Sequence, residues 1–121
     1  MKESTNGMAY TLYSANNASR PAAYVHTSSD QGLNGTSAVP INTWTHVAMT
    51  FDGATLRMFV NGAQVSSRAL AGSAVVTTGA LRIGGDAAWG EYFRGVIDEV
   101  RVYNRALTAA EIQSDMATPI P

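Results

Sequence analysis

The sequence predicts an all-β protein, an antiparallel two-sheet sandwich with one short helix near its C-terminal end. Three observations carry this. Apolar residues recur with period two along nearly the whole chain, in short runs such as THVAMTF at 45–51 and TLRMFVN at 55–61. Gly, Asn, Asp, Ser and Pro cluster between those runs, the punctuation of strands joined by tight turns. A helix-start signal occurs in one place, after Leu107.

Taken in order, the predicted strands are AYTLYSA (9–15), AAYVHTS (22–28), THVAMTF (45–51), TLRMFVN (55–61), AQVSSRA (63–69), ALRIGG (80–85) and FRGVIDEVRVY (93–103). Short connections favour antiparallel neighbours. Asp52-Gly53 and Asn61-Gly62 supply dipeptides that tolerate positive φ, so the strands at 45–51, 55–61 and 63–69 form a three-stranded meander. On its middle strand Leu56, Met58 and Val60 share one face, as do Val47, Met49 and Phe51 on the strand before. That apolar face requires a second sheet to cover it. Thr108 and Glu111 then spell a T-x-x-E capping box, and Leu107 and Ile112 stand at the two positions of a hydrophobic staple, which predicts a helix from about Ala109 to Met116.

The bounds agree with one domain, residues 1–117, followed by a disordered, proline-ended tail at 118–121. A chain of 121 residues with 45% hydrophobic content removes roughly two thirds of its unfolded surface from water and needs no staples. Eight Lys plus Arg against nine Asp plus Glu leave no field that would attract nucleic acid or an anionic membrane. Cysteine is absent, so there is no disulfide framework and no thiolate metal site. No run is long and apolar enough to span a bilayer, and the chain is expected to carry no secretion signal of its own.

Three separated motifs, INTWTHVAMTFDGATLRMFVNG (41–62), LRIGGD (81–86) and FRGVIDEVRVYNRALTAAEI (93–112), together resemble the laminin G-like, concanavalin A-like jelly-roll family. The resemblance runs from Lys2 to Ala117 and implies a jelly-roll sandwich, a core role for Trp44, and an extracellular or cell-surface location. Members of that family carry further strands before the segment resembling KESTNGMAYTLY, so the resemblance implies a truncated domain. Missing strands leave apolar face and strand edges open, which predicts a homodimer or higher assembly. Rearrangement into a smaller, self-sufficient sandwich is the alternative.

For chemistry, related jelly-roll glycosidases use two nearby carboxylates, but the adjacent Asp98 and Glu99 point to opposite faces of a strand and cannot flank one bond. No nucleophile elbow, phosphate loop or H-E-x-x-H occurs, and His26 and His46 lie on different strands, so the domain reads as non-catalytic. Asp98 alternates with Val96, Val100 and Val102, which predicts a buried carboxylate needing a partner. The resemblance implies that an acid at this place can help hold Ca²⁺. One carboxylate cannot supply six to eight oxygens, however, so loop amides or an arginine are the preferred partners and no cofactor is required. Glu99, Arg101 and Arg105 read as a solvated charge ladder.

Trp89 is the leading ligand candidate. It lies in the Gly-bounded loop GGDAAWGEYF with Asp86, Glu91 and Tyr92, where an aromatic ring either stacks on a sugar or folds back over the sheet edge. Tyr10, Tyr13 and Tyr24 are either sugar binders or cross-strand packing pairs. The sequons at Asn17 and Asn34 carry no weight in a chain of this composition. The resulting expectation is a non-catalytic carbohydrate-binding accessory module. A structural or protein-interaction module without a glycan ligand is the alternative, and a glycosidase fragment the least favoured reading.

Overall fold

The computed structural model describes residues 1–5 and 7–121. Strands β1 (Lys2–Ser4), β2 (Gly7–Tyr13), β3 (Ala22–His26) and β4 (Asp30–Asn34) form one antiparallel sheet in sequential order. Strands β5 (Val47–Phe51), β6 (Thr55–Val60) and β7 (Ala63–Ala69) form a second antiparallel sheet, and helix α1 (Ala109–Met116) follows. The all-β sandwich with one C-terminal helix is therefore the fold.

Period-two alternation builds the core. In β3, Ala23 and Val25 face inward, and register places Leu12 and Tyr10 of β2 beside them and Leu33 of β4 opposite Ala23. From the other sheet come Leu56 and Met58 of β6, opposite Phe51 and Met49 of β5. The buried cluster is Ala23, Val25, Leu33, Leu56 and Met58, closed at its rim by partly buried neighbours that include Val65 and Leu70.

The two sequence-marked turns form by different means. Asn61 (φ 49°) and Gly62 (φ 75°) both take the left-handed region of a tight hairpin turn, and the Asn61 side chain accepts the His46 amide at 3.0 Å. At the other turn only Gly53 is left-handed (φ 86°). Asp52 instead accepts the amides of Ala54 and Thr55 and receives Arg57 at 2.6 Å. The Arg57 guanidinium first, and those amides next, hold the Asp52 carboxyl down to about 2.

Strands β1 and β4 were not expected. Their sequences, KES and the glycine-containing DQGLN, are mostly polar, and pairing with β2 and β3 overrides that weak propensity. Gly32 has a specific use: a β-carbon there would stand 2.4 Å from the Tyr24 ring, which lies over the glycine across the β3–β4 pair.

Two predicted strands are corrected. Residues 80–85 make isolated bridges, Leu81 to Lys2 and Gly85 to Tyr92, and residues 93–103 form no strand at all. An alternating apolar run becomes a strand only where a neighbour accepts its hydrogen bonds, and among the described residues none lies alongside 94–103. Glu99, at φ 53°, also breaks the alternation. Trp44 is likewise corrected from core to surface: it sits in the irregular approach to β5 and is 70% exposed.

The helix forms as written. Thr108 caps the Glu111 amide, the Glu111 carboxylate accepts the Thr108 amide at 2.8 Å, and Ile112 is buried. Arg105 grips Glu111 with both terminal nitrogens, at 2.8 and 3.1 Å. The Arg105 pair first, and Thr108 next, lower the Glu111 carboxyl from 4.5 to about 2. A depressed folded pKa stabilises the native state above the ordinary value and stops doing so as pH falls through the folded one. Glu111→Gln is therefore expected to lower the melting temperature at pH 7 and to converge on the parent near pH 2, by thermal unfolding followed by circular dichroism.

Candidate functional site

The site is built from the loop after residue 84. Gly84 (φ 81°) turns the chain, the Phe93 amide returns to the Gly84 carbonyl at 2.9 Å, and the Asp86 amide donates to the Glu91 carbonyl at 3.0 Å. Inside that closed loop one Asp86 carboxylate oxygen accepts the Trp89 amide at 2.6 Å, a local side-chain-to-backbone bond that fixes where the backbone of the tryptophan stands, while the other is buried without a partner among the described residues.

Asp86 is 1% exposed, so it acts within the loop instead of facing solvent. Its charge lies near the α-amino group of Met1. Burial pushes that amine below its ordinary range, and the Asp86 and Glu3 carboxylates oppose the shift. Trp89 is 54% exposed, with its ring edge 3.9 Å from where a β-carbon on Gly7 would stand. The ring thus leans on the start of β2 while much of it stays open to water.

Strand β1 supplies the opposite wall. It is bonded to β2 on one side and to the 79–82 segment on the other, through Glu3 N–H to the Ala80 carbonyl at 2.9 Å and Arg82 N–H to the Met1 carbonyl at 2.8 Å. Gly79 permits this approach, because a β-carbon there would come within 2.2 Å of the Glu3 carbonyl oxygen. The Glu3 carboxylate accepts the Ala87 amide at 2.9 Å and Arg82 Nε at 2.7 Å, and the amide first, with Arg82 behind it, holds it below the usual range.

Between these walls lies an open cleft of about 340 Å³, lined by Glu3, Ser4, Thr5, Gly7, Ala87, Ala88 and Trp89. A second open cleft, about 380 Å³, runs along 81–87 to Tyr92. The four loop residues singled out in the sequence thus share one loop but not one cleft. Tyr92 is exposed and lies against Gly85. Glu91 is exposed beside Tyr13, whose hydroxyl burial first, and the Glu91 carboxylate second, raise well above the usual tyrosine range. Sequence reasoning missed Glu3, Ser4 and Thr5, because their place depends on pairing across nearly eighty residues, Lys2 with Leu81.

The other tyrosines pack. Tyr10 lies against the core, and Tyr13 and Tyr24 form an edge-on pair at 6.1 Å and 88°. His26 meets Asp30 at 2.6 Å, while His46 is pushed below its ordinary value by burial first and the Arg101 charge second.

Asp98 is corrected from a carboxylate enclosed by valines to an exposed one that accepts the Glu99 amide at 2.8 Å, since the segment carrying it lies on no sheet. Among the described residues no three His, Asp or Glu converge on a metal position. The charge ladder is corrected as well: Arg101 has a side chain only 19% exposed and donates to the backbone carbonyls of Asp115 and Thr118, at the C-terminal end of α1. Glu99 pairs with it at 3.3 Å and accepts the Ile120 amide at 2.7 Å. These charges fasten the helix end and the last residues to the body of the domain.

Comparison with known proteins follows the same lines. The family model described as the concanavalin A-like lectin/glucanases superfamily matches residues 1–113. Pappalysin-1 from Mus musculus is 35% identical over 80 residues, 62% of this chain, which spans only 5% of that protein. The crystal structure of an S-layer domain-containing protein from Clostridium thermocellum is similar, with TM-score 0.56 and 25% identity over 82% of this chain and 52% of that one.

Proposed function

We propose a function from one established premise: the chain belongs to the concanavalin A-like lectin/glucanases superfamily. On that premise it is a non-catalytic, carbohydrate-binding accessory module of a larger protein outside the cell or at its surface. The observation that carries the reading is the cleft between β1 and Trp89. A half-exposed indole, on a residue whose backbone amide is fixed by the buried Asp86 carboxylate and whose ring edge leans on β2, is a platform for the apolar face of a sugar ring, and Ser4 and Thr5 offer hydroxyls at the opposite wall. Glu3, the acid that lines this cleft, is engaged by Arg82 and by the Ala87 amide, which supports a binding role over hydrolysis. The surface location draws support from the S-layer domain-containing relative.

A glycan array tests the reading. The parent is expected to bind at least one glycan, and Trp89→Ala to weaken that binding about tenfold or more through loss of the platform. No glycan bound by the parent, or unchanged binding by the variant, would move the assignment to a protein-interaction module. That second reading has its own observation, the apolar surface along residues 94–103.

A further inference from the structure

The loop that carries Trp89 sets two carboxylates side by side over β2. Gly85 bridges Tyr92, and the Asp86 amide meets the Glu91 carbonyl at 3.0 Å, so Asp86 and Glu91 are opposed across an antiparallel ladder and their side chains leave it on the same face. Opposed like charges destabilise such a pair unless a charge of the other sign lies between them. Below that face is β2. Its Tyr10 and Leu12 pack against the core, so Thr11 and Tyr13 point the other way, beneath the loop. The Tyr13 hydroxyl is raised by burial first and by Glu91 next, with Asp86 adding to the shift and the Thr11 hydroxyl opposing it, which gathers all four polar groups about one point.

Two of the four are buried with nothing to bond. Asp86 and Thr11 are 1% and 2% exposed, and Asp86 Oδ2 and Thr11 Oγ1 have no hydrogen-bond partner among the described residues. A buried carboxylate oxygen without a partner is costly, and a bound cation offsets that cost. Among the described residues no basic side chain pairs with either acid: Arg82 is taken by Glu3 and Lys2 by the Gly79 carbonyl, while the Met1 amine donates to the Arg82 carbonyl.

We propose that Asp86, Glu91, Thr11 and Tyr13 form a binding site for a hard divalent cation between the Trp89 loop and β2. Carboxylate and hydroxyl oxygens are the donors that calcium and magnesium take, and two carboxylates with water completing the shell make a site of modest affinity, with a dissociation constant of about 0.1–1 mM. Glu91 is exposed, which gives the ion its way in. Because Asp86 holds the Trp89 amide through its other oxygen, the bound ion fastens the loop to β2 and orders the tryptophan. The site stands on the loop and β2 alone and does not need a glycan.

Thermal unfolding of the 121-residue chain after treatment with a chelator tests this, with calcium chloride and magnesium chloride added in turn and sodium chloride at matched ionic strength as the control. At about 10 mM, at least one of the two ions is expected to raise the melting temperature by about 5 °C or more, an effect sodium chloride does not reproduce. Asp86→Asn keeps an oxygen for the Trp89 amide, and Glu91→Gln alters an exposed side chain. Both variants should be no less stable than the parent in chelator, since the opposed charges are gone, and should need about tenfold more ion for the same shift. Trp89 emission, read with Trp44→Phe to leave one indole, should change over the same range of ion concentration. No shift with either ion, an equal shift with sodium chloride, or a full response kept by both variants overturns the site. An ion that binds a chain for which no glycan is found supports the site and overturns the sugar-binding reading alone.

Discussion

Leu56→Ala is expected to destabilise the domain by about 3 kcal/mol or more, enough to lower its melting temperature by on the order of 10 °C. Leu56 is fully buried near the start of β6, in one cluster with Met58 and with Ala23, Val25 and Leu33 of the other sheet. Two of those neighbours are alanine and valine, which cannot extend into the space a leucine vacates, so the cavity should persist. A domain of this size has a stability of roughly 5–15 kcal/mol, and the many apolar side chains exposed along 81–103 contribute little to it. The central cluster therefore carries an unusual share. Denaturant unfolding checks this with Val102→Ala as the contrast, a 59% exposed position where the change should be within about 0.5 kcal/mol in a single copy. Equal midpoints for the two variants would mean that the sheets are not held together at Leu56.

What was legible from the sequence depended on how local the determining interaction is. The β5–β6–β7 meander and α1 are written in residues close to one another: Asn61-Gly62 for one turn, Asp52-Gly53 for the other, Thr108 and Glu111 for the cap. Strands β1 and β4 are polar, and only their neighbours make them strands. The same dependence works in reverse at 94–103, whose valine alternation is the clearest strand pattern in the chain yet lacks a partner among the described residues. At the candidate site, the loop from Asp86 to Tyr92 could be found because glycines bound a tryptophan. Its second wall could not, since Glu3, Ser4 and Thr5 carry no local mark and reach the loop through Lys2 and Leu81. Asp98 was misplaced because alternation assigns a face only where a sheet exists.

The Arg101 clasp shows how that unpaired segment is nonetheless held. The C-terminal end of a helix favours a cation, and the Arg101 guanidinium meets two carbonyls there at once, that of Asp115 in the last turn, which also accepts the Thr118 amide, and that of Thr118 just beyond it. The Glu99 carboxylate orients it and takes the Ile120 amide, so one ion pair ties residues 99–101 to the helix and to the residues beyond. Arg101→Met is expected to cost about 2 kcal/mol, the range for hydrogen bonds to a charged group, while keeping much of the side-chain volume. Arg101→Lys should recover little of that, because a single ammonium does not reproduce the two-pronged contact. A structural role confined to the helix would raise amide exchange only around 115–120. The clasp predicts more, namely faster exchange at 99–101 in the same variants, with the Trp89 loop unaffected, and a rise restricted to the helix end would show that Arg101 caps α1 without anchoring the strand-like segment.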